Sequence, residues 1–407
     1  MRILYLCHRI PYPPDKGDKI RAYHQVRALA AKHEVDVFTL ADDPADLKYE
    51  QALRKCCAGV TVVPLNPTWS RAMALPYLLT QTPLTLPFFY SEKLRQHIRQ
   101  AVSRRAYDRI FVYCSAMAQY AEEEFGIPIV TDLADVDSDK WRQYASATRF
   151  PFSAVYRREG RVLREYERHV CEKSTCVVVT TDREARLIRE ISSTARINVI
   201  PNGVDTEYFQ RPDAPLGSIP VVGFMGNMSY YPNQGAVIHF AREVLPLIRR
   251  SVPGAQFLIV GRNPSRGVQR LSEIDGVEVT GFVPDVRTYL ARVWVSVAPL
   301  SIAAGIQNKI LEAMAFELPV VGTARAVQGL TPNAAAAVDI ADGPQEMAAR
   351  IVPLLLDPRL ARAKGKESRR IIAQEYNWTT ALDRLLQLVE NPTQTENFQA
   401  TVSPFLK

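Results

Sequence analysis

The chain has 407 residues, 47% of them hydrophobic and 23% charged, which is long and apolar enough for two domains with separate cores. No stretch approaches the roughly twenty uninterrupted apolar residues of a membrane span, which sets aside helical membrane insertion. The formal charge of +7 favours anionic partners without naming them, and the six cysteines show no ligand or redox spacing, which points to reduced thiols and against structural zinc.

Strand-like and helix-like segments alternate from the start, the pattern of a doubly wound α/β architecture. Residues 2–7 run apolar straight into a polar loop, so they read as a first sheet strand and not as a signal peptide, and cytoplasmic residence is expected. In the loop that follows, Gly17 precedes a helix predicted over 19–32, and a glycine there lets backbone N–H groups reach an anion. Further strands are predicted at 34–40, 60–65, 109–114, 128–133, 176–181 and 198–200, with helices at 91–105 and 182–190 among the segments between them. Residues 69–90 are rich in Leu, Pro and aromatics and lead into the basic helix 91–105. They read either as an insertion packed on the N-terminal core or as a loop facing an acceptor or an anionic membrane surface. Residues 157–168 interleave acids with bases as a solvated helix face does. No nucleic-acid module accompanies them, so nucleic acid is not an expected partner.

Around 201–220 the composition turns to Pro, Gly and Asp, the mark of a linker. A second series of strands then begins, at 221–225, 256–260, 277–282, 295–298, 319–321 and 337–340. Its most informative stretch follows the strand at 295–298, where Ala303-Ala-Gly305 leads into a helix predicted over 307–316 and then into another buried strand. A small-residue loop at the carboxyl end of a parallel strand, opening onto a helix N-terminus, is a ligand crevice in such sheets. Lys309 and Glu312, three apart, share one face of that helix. The cation and the loop N–H groups suit a diphosphate, and the carboxylate suits a ribose diol, so a nucleotide diphosphate is the expected ligand. Residues 378–390 form an amphipathic helix, and 391–407 read as a disordered tail. An oxidoreductase is disfavoured because no Gly-x-Gly-x-x-Gly follows any strand.

Three stretches carry a resemblance: Glu312-Ala-Met-Ala-Phe-Glu-Leu-Pro-Val-Val321, Val199-Ile-Pro-Asn-Gly-Val-Asp205, and Gly223-Phe-Met-Gly-Asn-Met-Ser-Tyr-Tyr-Pro-Asn233 with Gly261-Arg262 and Asp135-Val-Asp-Ser-Asp-Lys-Trp141. The chain resembles the retaining glycosyltransferases of family 4, and within them the sugar transferases associated with exosortase (PEP-CTERM) and exopolysaccharide loci. The resemblance implies the GT-B fold, two Rossmann-like domains facing across a cleft. The expected N-terminal acceptor-side domain is 1–205, with 378–390 returning onto it, and the expected nucleotide-sugar domain is 206–377. It also implies a nucleotide-sugar donor and a saccharide or lipid-linked acceptor. Gly17 is carried over to the donor phosphates, with Lys16 and Arg21 as companions, and Asn227, Arg262, Gly305, Lys309 and Glu312 complete the expected donor set. Arg262 is read as a bidentate phosphate clamp, because the Arg and Lys that the family places after this first strand are absent from Gly226 to Asn233. The base is expected near Gly281 to Pro284. Asp135 is read as the acceptor-side carboxylate and, with Lys309 and Arg262, as a catalytic residue. The Asp-x-Asp at 135 and 137 admits a metal-dependent GT-A reading, but the nucleotide signature lies in the second half, so no metal is expected, and Asp137 and Asp139 read as helix caps. The first Glu of the family signature falls on Ala304, so a nucleotide-sugar-binding protein without catalysis is the alternative.

Overall fold

The computed structural model describes residues 1–393 of the chain; most of the tail expected to be disordered, from 394 on, lies outside the described residues. The strands form two wholly parallel sheets. The first contains β1 (Arg2–Cys7), β2 (Glu34–Ala41), β3 (Gly59–Pro64), β4 (Arg109–Tyr113), β5 (Ile129–Ala134), β6 (Cys176–Val179) and β7 (Ile197–Val199), in the order β3-β2-β1-β4-β5-β6-β7. The second contains β8 (Val221–Met225), β9 (Gln256–Val260), β10 (Val277–Gly281), β11 (Val295–Ala298), β12 (Val320–Gly322) and β13 (Val338–Ile340), in the order β10-β9-β8-β11-β12-β13.

Both faces of each sheet are covered, which is why the central strands are continuous apolar runs and not alternating ones. Along β1, Ile3, Tyr5 and Cys7 pack with Val26 and Leu29 of the helix Gly17–Lys32, while Leu4 and Leu6 pack on the other face with Leu94 and Ile98 of the helix Glu92–Arg104. The last helix, Trp378–Glu390, joins the first of these clusters through Ala381, Leu385 and Val389. It is held there by Trp378 stacked 4.2 Å from His24, and by Arg109, whose Nε donates to the Val389 carbonyl at 3.0 Å.

Strand ends differ from the sequence expectation where capping takes over. β6 stops at Val179, because Thr181 becomes the N-cap of the helix Asp182–Ile191 and accepts from the Glu184 N–H at 3.2 Å. In each sheet the chain order reverses once, at β1/β4 and at β8/β11. A crevice opens beyond the carboxyl ends of strands at such points, so the topology alone places the site.

Candidate active site in the cleft between the sheets

A cavity of about 500 Å³ lies between the two sheets. On the side of the second sheet it is walled by the turns that leave β8, β9 and β10, including Asn227, Arg262, Phe282 and Pro284, and by Glu312. The first two turns nest because both carry glycine: a Cβ on Gly261 would stand 1.7 Å from the Gly226 carbonyl oxygen. This close approach lets a ligand lie against bare backbone. Asn227 is in the wall, but its Oδ1 already accepts from the Ser229 N–H and hydroxyl at 3.0 and 2.9 Å.

Lys309 and Glu312 lie on the helix Asn308–Ala315 as the spacing predicts, yet they form no ion pair with each other among the described residues. Lys309 Nζ donates to Asn233 Oδ1 at 2.8 Å and sits 5.4 Å from the centre of the Phe224 ring. Burial pulls the Lys309 pKa down to about 8, against the pull of Glu312. Burial likewise pushes Glu312 up to about 7, with Lys309 opposing it. Both groups thus hold their charges at a loss that a bound anion and a diol would offset.

Across the cleft, the N-terminus of the helix Gly17–Lys32 meets that of Asn308–Ala315: a Cβ on Gly17 would lie 3.5 Å from Asn308 Nδ2. Neither N-cap residue, Lys16 or Gln307, offers a side-chain acceptor, although in the first helix Asp18 Oδ1 accepts from the Lys19 N–H at 3.0 Å. Two N-termini without capping by their N-cap residues bring their first N–H groups and positive dipole ends to one place. Arg262 reaches the same place. Its Nη1 donates to Asp15 Oδ2 at 2.6 Å, across the cleft, while its Nε and Nη2 are buried without an acceptor. That edge is the one a guanidinium uses for bidentate recognition of phosphate.

Asp135 and Gly305 are brought together beyond the helix N-terminus, where Gly305 (φ +57°) lies against the Asp135 carboxylate. Burial raises the Asp135 pKa. Arg21, expected beside the phosphates, is instead 2% exposed and paired with Asp132 at 2.8 Å, with Asn202 as a second acceptor. Asn202 in turn donates to Asn308 Oδ1 at 3.0 Å, so Arg21 anchors the linker to the ligand-facing helix. Asp137 and Asp139 are not caps. Asp137 accepts from Lys140 at 3.1 Å, and Asp139 accepts from Arg142 and Arg183 at 2.5 and 2.6 Å. No group of three or more metal-ligating side chains occurs among the described residues.

Sequence reasoning missed Asp15, although it lies two residues before Gly17, and missed the trio of His8, Asp18 and Cys114. His8 Nε2 lies 3.3 Å from Asp18 Oδ2 and its Nδ1 lies 3.3 Å from Cys114 Sγ. Burial opposes charge on His8, but Cys114 and Asp18 outweigh it and push the pKa up to about 9. A second hollow, about 340 Å³ on the first domain, is lined by Arg95, Arg99 and Lys173. All three cations are already paired with Glu122 or Glu123.

Comparison with known proteins agrees with this geometry. A family model described as "Glycosyl transferase 4-like domain" matches residues 17–203, and one described as "Glycosyl transferases group 1" matches residues 219–357. A search of curated proteins returns no match. Among solved structures, the chain is similar to sucrose-phosphate synthase from Thermosynechococcus elongatus, with a TM-score of 0.71 at 20% identity over 96% of this chain and 98% of that one. HepE from Anabaena, solved with UDP and glucose, matches with a TM-score of 0.67 at 15% identity over 96% and 99%. TarM from S. aureus, solved with Fondaparinux, alpha-GlcNAc-glycerol and UDP, matches with a TM-score of 0.67 at 13% identity over 95% and 99%. The two facing Rossmann-like sheets are the GT-B fold, and with both halves matched the chain belongs to the group 1 glycosyltransferases, enzymes that transfer sugars.

Proposed function

We propose that this enzyme is a retaining, metal-independent transferase that moves a sugar from a nucleoside diphosphate to a hydroxyl of a saccharide or lipid-linked acceptor in exopolysaccharide or other cell-surface glycan synthesis. The observation that carries the reading is the meeting of two helix N-termini, whose N-cap residues supply no side-chain acceptor, beside the unpartnered edge of Arg262. In that place Arg262, Lys309 and the N–H groups at Gly17 and Gly305 hold the diphosphate. Glu312 accepts from the ribose, the backbone around Phe282 and Asn227 holds the base, and Asp135 faces the reacting end. Positive groups fixed where charge develops stabilise the departing diphosphate, and its oxygen takes the acceptor proton on the same face of the sugar. UDP bound to HepE and TarM supports a nucleotide in the corresponding cleft. The two Asn-Met-Ser and Asp-Val-Asp-Ser stretches support the exosortase-associated subgroup.

The acceptor reading extends to a membrane surface. No helix among the described residues is long and apolar enough to cross a bilayer. Trp69, Leu75, Leu79, Phe150 and Phe152 are nevertheless exposed, Leu79 by 95%. Arg158, on the helix Phe152–Lys173, fixes the segment by donating to the carbonyls of Tyr77 and Thr82 at 2.6 and 2.8 Å. Of this region, Phe88 and Phe89 pack on the core of the first domain and Ala74 is buried. Arg71, Arg149 and Arg157 are exposed around the patch and have no ion pair among the described residues, whereas Arg95, Arg99 and Arg105 of the basic helix are paired. A rigid apolar patch with free cations suits peripheral contact with the anionic inner face of a membrane.

Thermal stabilisation by UDP, GDP and their sugars tests the donor site. A shift with one nucleotide family, abolished in Arg262→Ala, is expected; no shift with any nucleotide refutes the assignment. The anomeric configuration of the product, read by NMR, then decides retention.

A further inference from the structure

Past the N-terminus of the helix Asn308–Ala315, Gly305 is pressed onto two carboxyls of the first domain. A Cβ at Gly305 would stand 2.1 Å from Asp135 Oδ1 and 3.3 Å from Glu184 Oε1, so the two oxygens converge on one point. Glu184 is 1% exposed. Its Oε2 accepts from the hydroxyls of Thr180 and Thr181 at 2.6 and 3.2 Å, whereas Oε1 has no partner among the described residues. Glu184 is the third residue of its helix, and Thr181 caps its N–H. In a capping box such a carboxylate turns back to the N–H of the capping residue. Here it takes two hydroxyls instead and leaves an oxygen aimed at Gly305, which helix capping does not explain.

The cations that face this pair oppose the effect of burial without cancelling it, and each is held by another carboxylate. Arg21 is held by Asp132, Lys140 by Asp137, and Arg183 by Asp139. Burial raises the pKa of both carboxyls, and Asp135 raises that of Glu184 further. A half-buried and a buried carboxyl brought this close, with every nearby cation held by another carboxylate, keep a proton between them near neutral pH.

We propose that Asp135 and Glu184 share one proton, and that this pair holds a hydroxyl of the donor sugar in place of the carboxylate that the chain lacks at Ala304. The proposal rests on the nucleotide-sugar reading of the cleft. With the nucleoside in the cavity beside Glu312 and the diphosphate at the paired helix N-termini, the next group outward is the sugar, and Gly305 is where it arrives. Ala304, in the same turn, offers it only a methyl group. In a singly protonated pair the shared proton holds Asp135 in place with its free oxygen ready to accept from a sugar hydroxyl, whereas a doubly ionised pair loses that internal hydrogen bond and pushes its own carboxylates apart. Asp135 meets the sugar. Glu184, sealed behind it, is a positioning residue that keeps the proton in place.

Calorimetry on wild type, Glu184→Ala and Glu184→Gln with UDP, UDP-glucose, GDP and GDP-mannose tests this through the ratio of sugar-nucleotide to bare-nucleotide affinity. In Glu184→Ala that ratio falls about tenfold or more at pH 7 while the bare nucleotide binds within about twofold of wild type, which also shows that the fold is intact. Glu184→Gln, whose amide still donates, keeps the wild-type ratio at pH 7. At pH 9 the wild-type ratio falls as the shared proton is lost, and that of Glu184→Gln does not. An unchanged ratio in Glu184→Ala, or an equal loss for nucleotide and sugar nucleotide, overturns the proposal. Failure of the wild type to bind any nucleotide overturns the reading beneath it, and this proposal with it.

Discussion

Lys309 gives the donor site a pH dependence whose sign and size can be worked from the structure. Its ammonium is buried beside Phe224 with Asn233 as its only hydrogen-bond partner among the described residues, and its pKa in the free protein is pulled down to about 8. A diphosphate stabilises the charged form, so the bound-state pKa rises and binding takes up a proton wherever the free lysine is neutral. At pH 7 the free lysine is already charged and the penalty is negligible. At pH 9 about nine-tenths of it is neutral, which weakens nucleoside diphosphate binding about tenfold, or ~1.4 kcal/mol. Glu312, raised to about 7, gives the opposite limb: its carboxylate is lost as pH falls, and at pH 6 the ribose contact weakens by a similar factor. Affinity therefore peaks between these two values. Titration calorimetry at pH 7 and pH 9, repeated in buffers of different ionisation heat near pH 8, measures both the affinity and the proton count. Lys309→Arg stays charged throughout, so its affinity is expected to hold at pH 9, and the comparison removes any titration of the ligand itself. Equal wild-type affinity at pH 7 and pH 9, or no proton uptake near pH 8, refutes the argument.

Glu312→Ala is expected to weaken nucleoside diphosphate binding by ~1–3 kcal/mol at pH 8, the usual loss for charge-assisted hydrogen bonds; unchanged affinity in calorimetry would sink the ribose assignment. Transfer is expected to survive EDTA, and complete loss restored by manganese or magnesium would revive the metal-dependent reading of Asp135 and Asp137. Leu79→Ser with Phe150→Ser is expected to reduce co-sedimentation with anionic vesicles without affecting nucleotide binding, and wild-type binding is expected to fall as salt rises. Equal, negligible sedimentation of the wild type with neutral and anionic vesicles would remove the membrane from the proposal.

Much of the fold was legible because buried parallel strands and amphipathic helices leave local signals. The apolar run at 221–225 and the period of 378–390 coincide with the observed elements, and strand 2–7 needs no correction. On the second domain, Arg262 and Glu312 could be placed at the crevice from sequence because one follows the end of a strand and the other lies one turn into a helix that starts at the crevice. What was illegible depends on apposition across the chain. Asp15 and Arg262 are 247 positions apart. Arg21 looked like a phosphate ligand because it follows Gly17, but one face of its helix points into the first domain, where the buried Asp132 takes the guanidinium. Asp139 looked like a cap because it precedes an aromatic helix. It binds Arg183 from another helix, a partner that no local pattern announces.

Several contacts that join the two domains are made by residues assigned to the donor, beside others at Gln143 and Tyr144. Gly17 touches Asn308, Asp15 holds Arg262, and Gly305 rests on Asp135 and Glu184. Polar contacts of this kind between domains are compatible with their parting and closing around a ligand. The half-sites are also electrostatically incomplete alone: Arg262 lacks an acceptor for one edge, and Glu184 lacks a donor for one oxygen. On the proposed reading, a nucleotide sugar would supply anionic oxygens to the first and a hydroxyl to the pair that contains the second, so one molecule would satisfy both sides. Binding and domain apposition would then draw on one set of groups, and the reacting site would assemble fully only around a complete donor.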